Sequence, residues 1–90
     1  MTMTAQTTVQ VTVRYFAAAA AAAGVETETL DLSSGTTVAE LVEQLGRGNA
    51  ALARVLLRCS FLCDGIAVRD VSKVIATPQT VDVLPPFAGG

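Results

Sequence analysis

The sequence predicts an α+β domain, a mixed β-sheet covered on one face by a principal helix, with a C-terminal tail projecting from it. Two alternating β-branched runs, VQVTVRYF near the start and TVDVL near the finish, and a central TTVAELVEQL carrying helix-start and helix-spacing signals support that expectation. At 90 residues the chain has room for one domain, expected over residues 9–84. A domain this small buries only roughly 60–65% of its unfolded surface. A deep enclosed active site is therefore not expected, and function should lie on a surface or a terminus.

Residues 1–8, MTMTAQTT, are polar and small and read as a poorly ordered extension. From Val9 to Phe16, apolar Val9, Val11, Val13 and Tyr15 alternate with polar Gln10, Thr12 and Arg14, the period-two pattern of a half-buried strand. Ala17 to Ala23 follows, ended by Gly24. Alanine has the highest helix propensity and glycine suits the position past a helix end, so a short helix is expected, leaning on the sheet because two turns are unstable alone. Glu28 to Leu32 reads as a second strand with Leu30 and Leu32 inward, and Ser33, Ser34 and Gly35 as its turn.

Thr37-Val38-Ala39-Glu40 is a capping box, in which the Thr37 hydroxyl and the Glu40 carboxylate each take the other residue's backbone N–H. Val38, Leu41, Val42 and Leu45 mark one helical face, with Gly46 as the expected stop. Leu52, Val55 and Leu56, after Asn49 as a cap, predict a second short helix. Arg58 to Cys63 reads as a strand with Cys59, Phe61 and Cys63 on one face. Asp64-Gly65 is a two-residue hairpin signal leading into Ile66 to Val68. Arg69 to Gln79 reads as irregular, and Thr80 to Leu84 closes the sheet with Val81 and Val83 on one side and Asp82 on the other. If the last strand pairs parallel to the first, the helical region supplies the long crossover that parallel pairing needs. That order is the β-grasp, or ubiquitin-like, arrangement.

The composition excludes several kinds of function. Net charge is −2 and the six Lys and Arg residues are scattered, so neither nucleic acid nor an anionic membrane surface is an expected partner. No segment reaches the roughly 18 apolar residues that span a bilayer, and the first residues lack the basic start and apolar core of a signal peptide. A cytoplasmic address follows as the default. There is no histidine, which removes Ser-His and Cys-His dyads and the usual zinc sites. Cys59 and Cys63, about 13 Å apart if both lie in one extended strand, are too far apart for a disulfide and read as free, largely buried thiols. No bound metal or cofactor is expected, and no catalytic site of the chain's own.

What remains is the sequence LPPFAGG, residues 84–90. Pro85 and Pro86 fix φ near −65° and hold the chain extended, so the tail should project. From Pro85 to Gly90 it could reach roughly 20 Å into a partner. Phe87 would be an aromatic anchor there. Gly89 and Gly90 have no Cβ, so the backbone there can pass through a narrow tunnel. The carboxylate of Gly90 arrives at the end of that reach, a weak electrophile that needs activation before a nucleophile takes it.

These residues resemble a known family. VTVRYFA, the Ala-rich turn ending in Gly24, TTVAELVEQL, the Cys63-Asp64-Gly65 hairpin and above all VDVLPPFAGG are similar to the MoaD/ThiS sulfur carriers, most of all to the molybdopterin synthase small subunit. Thiamin-pathway carriers also end in Gly-Gly but usually lack the double proline.

The resemblance implies that Gly90 is adenylated by an E1-like adenylyltransferase that uses ATP, then converted to a thiocarboxylate with sulfur from a donor protein. It also implies that Gly89 and Ala88 thread the tail into the large subunit of molybdopterin synthase, in a heterotetramer, while Phe87, Pro86 and Pro85 seat it. There the sulfur passes to cyclic pyranopterin monophosphate. Where many relatives turn on Gly-Asp before the last strand, this chain has Ala76-Thr77-Pro78-Gln79, and its alanine run replaces a charged turn. A carrier for thiamin or cysteine biosynthesis, a ubiquitin-like protein modifier and an interaction domain with an idle tail are the competing readings.

Overall fold

The computed structural model describes residues 7–86, in which three short helices pack on one face of a five-stranded mixed sheet. Along the chain come β1 (Thr8–Tyr15), α1 (Ala18–Ala23), β2 (Thr27–Ser33), α2 (Val38–Gly46), α3 (Ala50–Leu56), β3 (Ser60–Cys63), β4 (Ile66–Ala67) and β5 (Gln79–Leu84). In space the strands lie in the order β2-β1-β5-β3-β4. The two runs of clearest alternation, β1 and β5, are adjacent and parallel, with Val13 opposite Val81 and Tyr15 opposite Val83. The other three pairings are antiparallel. This is the predicted β-grasp arrangement, and the elements between β1 and β5 form its crossover.

Alternation decides the core. Val9, Val11, Val13 and Tyr15 of β1, Leu32 of β2 and Val81 and Val83 of β5 point to the helical side, where Ala19, Val38, Leu41, Leu52 and Leu56 meet them. Burying each Val- or Leu-sized side chain contributes roughly 1.5–3 kcal/mol. The capping box of α2 is fully formed: the Glu40 N–H donates to Thr37 Oγ1 at 3.1 Å and the Thr37 N–H to Glu40 Oε1 at 2.9 Å. Asn49 caps α3, accepting from the Leu52 N–H at 3.0 Å, and its Nδ2 donates to the Ala22 carbonyl at 3.0 Å. That second bond satisfies a carbonyl at the open end of α1, so one side chain ties two helices together.

Several boundaries differ from the sequence expectation for identifiable reasons. Thr8, assigned to the N-terminal extension, pairs with Ser33, and the Thr7 carbonyl accepts from the Ser34 N–H, so β1 starts earlier than the alternation alone indicates. β1 ends at Tyr15 rather than Phe16, and Ala17 stands before α1 at φ 51° and ψ −125° instead of inside the helix. Gly46 does not stop α2 from outside. It lies within the helix, where an added Cβ would meet the Ala53 Cβ at 3.0 Å, so its role is to let α2 and α3 approach closely.

Cys59 lies outside β3, because α3 runs on into a turn in which the Arg58 and Cys59 N–H groups donate to the Val55 and Leu56 carbonyls. Both cysteines are nonetheless free. The Asp64-Gly65 hairpin is as expected, with positive φ at both residues (49° and 82°). β4 is only two residues long. The expected principal helix, α2, forms the covering layer together with the two short helices α1 and α3.

The irregular stretch after β4 is better fixed than its sequence suggests. Carbonyls of Lys73 and Val71 accept from the Val38 and Ala39 N–H groups at 3.0 and 2.8 Å, two of the donors that the first turn of α2 leaves unpaired. Ile75 is buried at 2% exposure, with its N–H donating to the Thr36 carbonyl. The loop therefore closes the end of the core while β5 returns to the middle of the sheet.

Candidate functional site

β5 delivers the tail. It runs between β1 and β3, with Leu84 opposite Ser60 on one side and the Val83 carbonyl accepting from the Phe16 N–H at 3.2 Å on the other. A strand held on both edges is a firm base, since neither end of a pairing can slip without flipping buried Val81 and Val83 to the opposite face. Pro85 is half-buried and Pro86 is exposed, so the backbone leaves the domain within two residues of the last paired position. Phe87, Ala88, Gly89 and Gly90, the anchor, threading and reactive residues expected from the sequence, lie outside the described residues.

At the base of the tail the sheet has an outer face that no element of the described residues covers. The pairing register sets Thr27, Arg14, Asp82, Leu62 and Ala67 in one row across all five strands. Next to that row, towards the tail, stand Phe16, Leu84 and Ser60. Arg14 and Asp82 are joined side-on, Nε to Oδ1 at 2.6 Å and Nη2 to Oδ2 at 2.9 Å. The Arg14 guanidinium also lies over the Phe16 ring, 5.6 Å from its centroid.

Sequence reasoning put Asp82 away from Val81 and Val83 but missed its partner. Equal phase in the two alternations places Arg14 and Asp82 on the same face, but only the parallel register makes them neighbours.

The thiols are poor candidates for chemistry. Burial pushes both upward in pKa, and at Cys63 the attraction of Lys73 is opposed by Asp64 and Asp82. A raised pKa keeps a thiol protonated and unreactive at neutral pH. Cys59 Sγ is engaged with the Val55 carbonyl at 3.3 Å. Tyr15 is also held protonated, first by burial and then by donating to Glu28, so its phenol braces β1 against β2. No helix among the described residues is long and apolar enough to cross a membrane.

Comparison with known proteins extends this picture across the tail. The family model described as "ThiS family" matches residues 13–90. The molybdopterin synthase sulfur carrier subunit of Chlamydomonas reinhardtii is 32% identical over 82 residues, covering 90% of this chain and 99% of that protein. Among solved structures, SAMP1 of Haloferax volcanii superposes with a TM-score of 0.77 at 25% identity, over 90% of this chain and 99% of that one. Subunits 1 and 2 of the molybdopterin-converting factor of Helicobacter pylori have been solved as a complex. That match has a TM-score of 0.65 at 18% identity, over 91% of this chain and 100% of the matched chain, a likeness of fold.

Proposed function

The chain belongs to the ThiS family, and on that premise we propose that it is a sulfur carrier of molybdenum cofactor assembly, the small partner in a molybdopterin synthase. The observation that carries the reading is where the tail begins. A central, doubly paired β5 passes straight into Pro85 and Pro86 at the edge of an uncovered sheet face, which suits a terminus that must be handed from one protein to another.

In this reading an E1-like adenylyltransferase joins the Gly90 carboxylate to AMP from ATP, releasing pyrophosphate. The persulfide of a donor protein then displaces AMP, and a thiol reduces the resulting acyl disulfide to leave a thiocarboxylate. Inside the large subunit the sulfur attacks cyclic pyranopterin monophosphate, and water then cleaves the C–S bond to Gly90, which leaves the sulfur on the pterin and regenerates the carboxylate. Gly89 and Ala88 thread the tunnel, and Phe87, Pro86 and Pro85 seat the tail. The carrier holds no cofactor of its own, its partners supply the catalysis, and it acts in the cytoplasm. Its outer sheet face, uncovered beside the base of the tail, is the surface that docks on the large subunit; subunits 1 and 2 of the Helicobacter factor form a complex.

Intact mass spectrometry tests the reading. After incubation with ATP, a sulfur source and the activating enzyme, one oxygen of Gly90 should be replaced by sulfur, and the charged carrier should yield molybdopterin with the large subunit. Deleting Gly90 should abolish charging and leave the unfolding temperature unchanged. Normal pathway activity without Gly90 would reject it, and efficient charging without molybdopterin would redirect it to thiamin or cysteine formation.

The likeness to SAMP1, which other solved structures name small archaeal modifier protein 1, favours one second reading, a protein modifier joined through Gly90 to lysines. It predicts higher-mass conjugates in cells that disappear with Gly90.

A further inference from the structure

The row across the outer sheet face is apolar on one side and polar at its centre. Leu62 in the row, with Leu84 and Phe16 next to it, gives apolar area, yet the Arg14–Asp82 pair sits among them. Asp82 is 8% exposed in its side chain and Arg14 is 51% exposed, so the carboxylate is already desolvated and the guanidinium still faces water. A guanidinium carries five N–H groups, and two of them go to Asp82, which leaves three. No other hydrogen bond among the described residues uses them.

Covering this face removes water from those three donors. Left unpaired in a dry interface they would oppose binding, because a buried donor without an acceptor loses its full hydration. The charge, by contrast, needs nothing further, since Asp82 already neutralises it. A carboxylate brought against the pair would leave an uncompensated negative charge.

Resting on the function proposed above, we infer that Arg14 and Asp82 form a specificity element of the docking face. It selects a large subunit whose matching surface offers neutral carbonyl oxygens, from a turn or strand edge, to the free side of Arg14. A large subunit with a wholly apolar surface there is rejected, because it strands the guanidinium N–H groups. Asp82 lies in β5, two residues before Leu84 and on the same face, so the contact that selects the partner also sets the origin from which the tail enters it.

The test measures the dissociation constant of the full-length carrier for the purified large subunit of the same organism, by calorimetry over a range of salt. Wild type should bind with little salt dependence, as expected for a neutral pair meeting neutral acceptors. Asp82→Asn, which leaves Arg14 an unbalanced cation, should weaken binding by about 30-fold or more. The double replacement Arg14→Leu with Asp82→Leu makes the face wholly apolar. It should keep the unfolding temperature, since apolar pairs replace ion pairs at little cost in stability. Its affinity should nevertheless fall by about tenfold or more, because the partner's carbonyls lose their donors.

Arg14→Lys, which keeps the charge but not the planar fork, should fall between wild type and the double variant, with an unchanged unfolding temperature to show that folding is not at issue. Wild-type affinity in the double variant would overturn the inference while leaving the carrier function standing. A steep salt dependence in the wild type would overturn the neutral-acceptor assignment. Failure of the wild-type carrier to bind the large subunit would overturn the function and this inference together.

Discussion

The two faces of the sheet are built from the same strands and serve opposite ends. Towards the helices, Val11, Val13, Val81 and Val83, all β-branched and apolar, are completely buried. Towards solvent the alternate positions of those strands carry Thr12, Arg14, Thr80 and Asp82, with a 2.6 Å ion pair where the first face has valines in contact. The inner face is satisfied within the chain. The outer face is satisfied only in part, since Arg14 keeps free donors and Leu62, Leu84 and Phe16 retain accessible apolar surface. With the outer face as the proposed docking surface, stability and partner choice are separable by side-chain position, and substitutions should act on one with little effect on the other.

The largest expected effect on the inner face comes from Leu41→Ala. Leu41 is fully buried between α2 and the sheet, and its truncation should cost about 2–5 kcal/mol by the transfer and cavity effects of large-to-small core changes. Urea unfolding would measure it. At temperatures where the variant stays folded, Gly90 charging should persist, and a selective loss of charging would break the separation of the two faces.

Smaller is Thr37→Ala, which removes the side-chain acceptor of the capping box and should cost about 1 kcal/mol. It should show as a lower denaturant midpoint with an unchanged slope.

Ala17→Gly should act with the opposite sign. Ala17 holds φ 51° and ψ −125°, a conformation open mainly to glycine, at the joint between β1 and α1. Relief of that strain, partly offset by the greater chain entropy of glycine, should stabilise the domain by about 1 kcal/mol. No gain would mean that the joint is not strained.

The last prediction concerns pH. The folded state raises the pKa of Cys63 and Cys59 by burial, and that of Tyr15 by burial and by its bond to Glu28. A raised folded pKa favours the protonated form. Its stabilisation is complete below the ordinary thiol value of about 8.5 and is lost as pH rises through the folded values. Stability measured by urea unfolding should therefore decline in alkali, first through the thiols and then, above about pH 10, through Tyr15. Tyr15→Phe should flatten the upper part of that decline, and Cys63→Ala the lower part. An unchanged profile in both would remove the burial of these groups as its cause.

How much of this was legible beforehand depended on whether a feature is local. The alternation of β1 and β5, the Thr37–Glu40 box, the Asn49 cap and the Asp64-Gly65 turn were all readable, because each is decided by residues within four positions of one another. Ile75 was not. It sits in a stretch with no periodicity, and it is buried because carbonyls of its loop satisfy the first turn of α2, a pairing across more than thirty residues of chain. Gly46 was read as a stop signal, although its requirement comes from Ala53 on another helix. Of the candidate site, the composition of the tail was plain in the chain, and the surface at its base was not.

By itself, then, the sequence determined which segments become strands and helices, which strand faces are apolar, and that the chain ends in two prolines, an aromatic residue and two glycines. Those properties follow from backbone propensity and the periods of 2 and 3.6. The tertiary structure alone decided that β5 lies between β1 and β3, parallel to the first, with Arg14 opposite Asp82 across 68 positions of sequence. No local rule sets a strand's neighbours. They are chosen when the valines of two distant runs bury each other, and the pairing that buries them on one face brings the ion pair and the base of the tail together on the other.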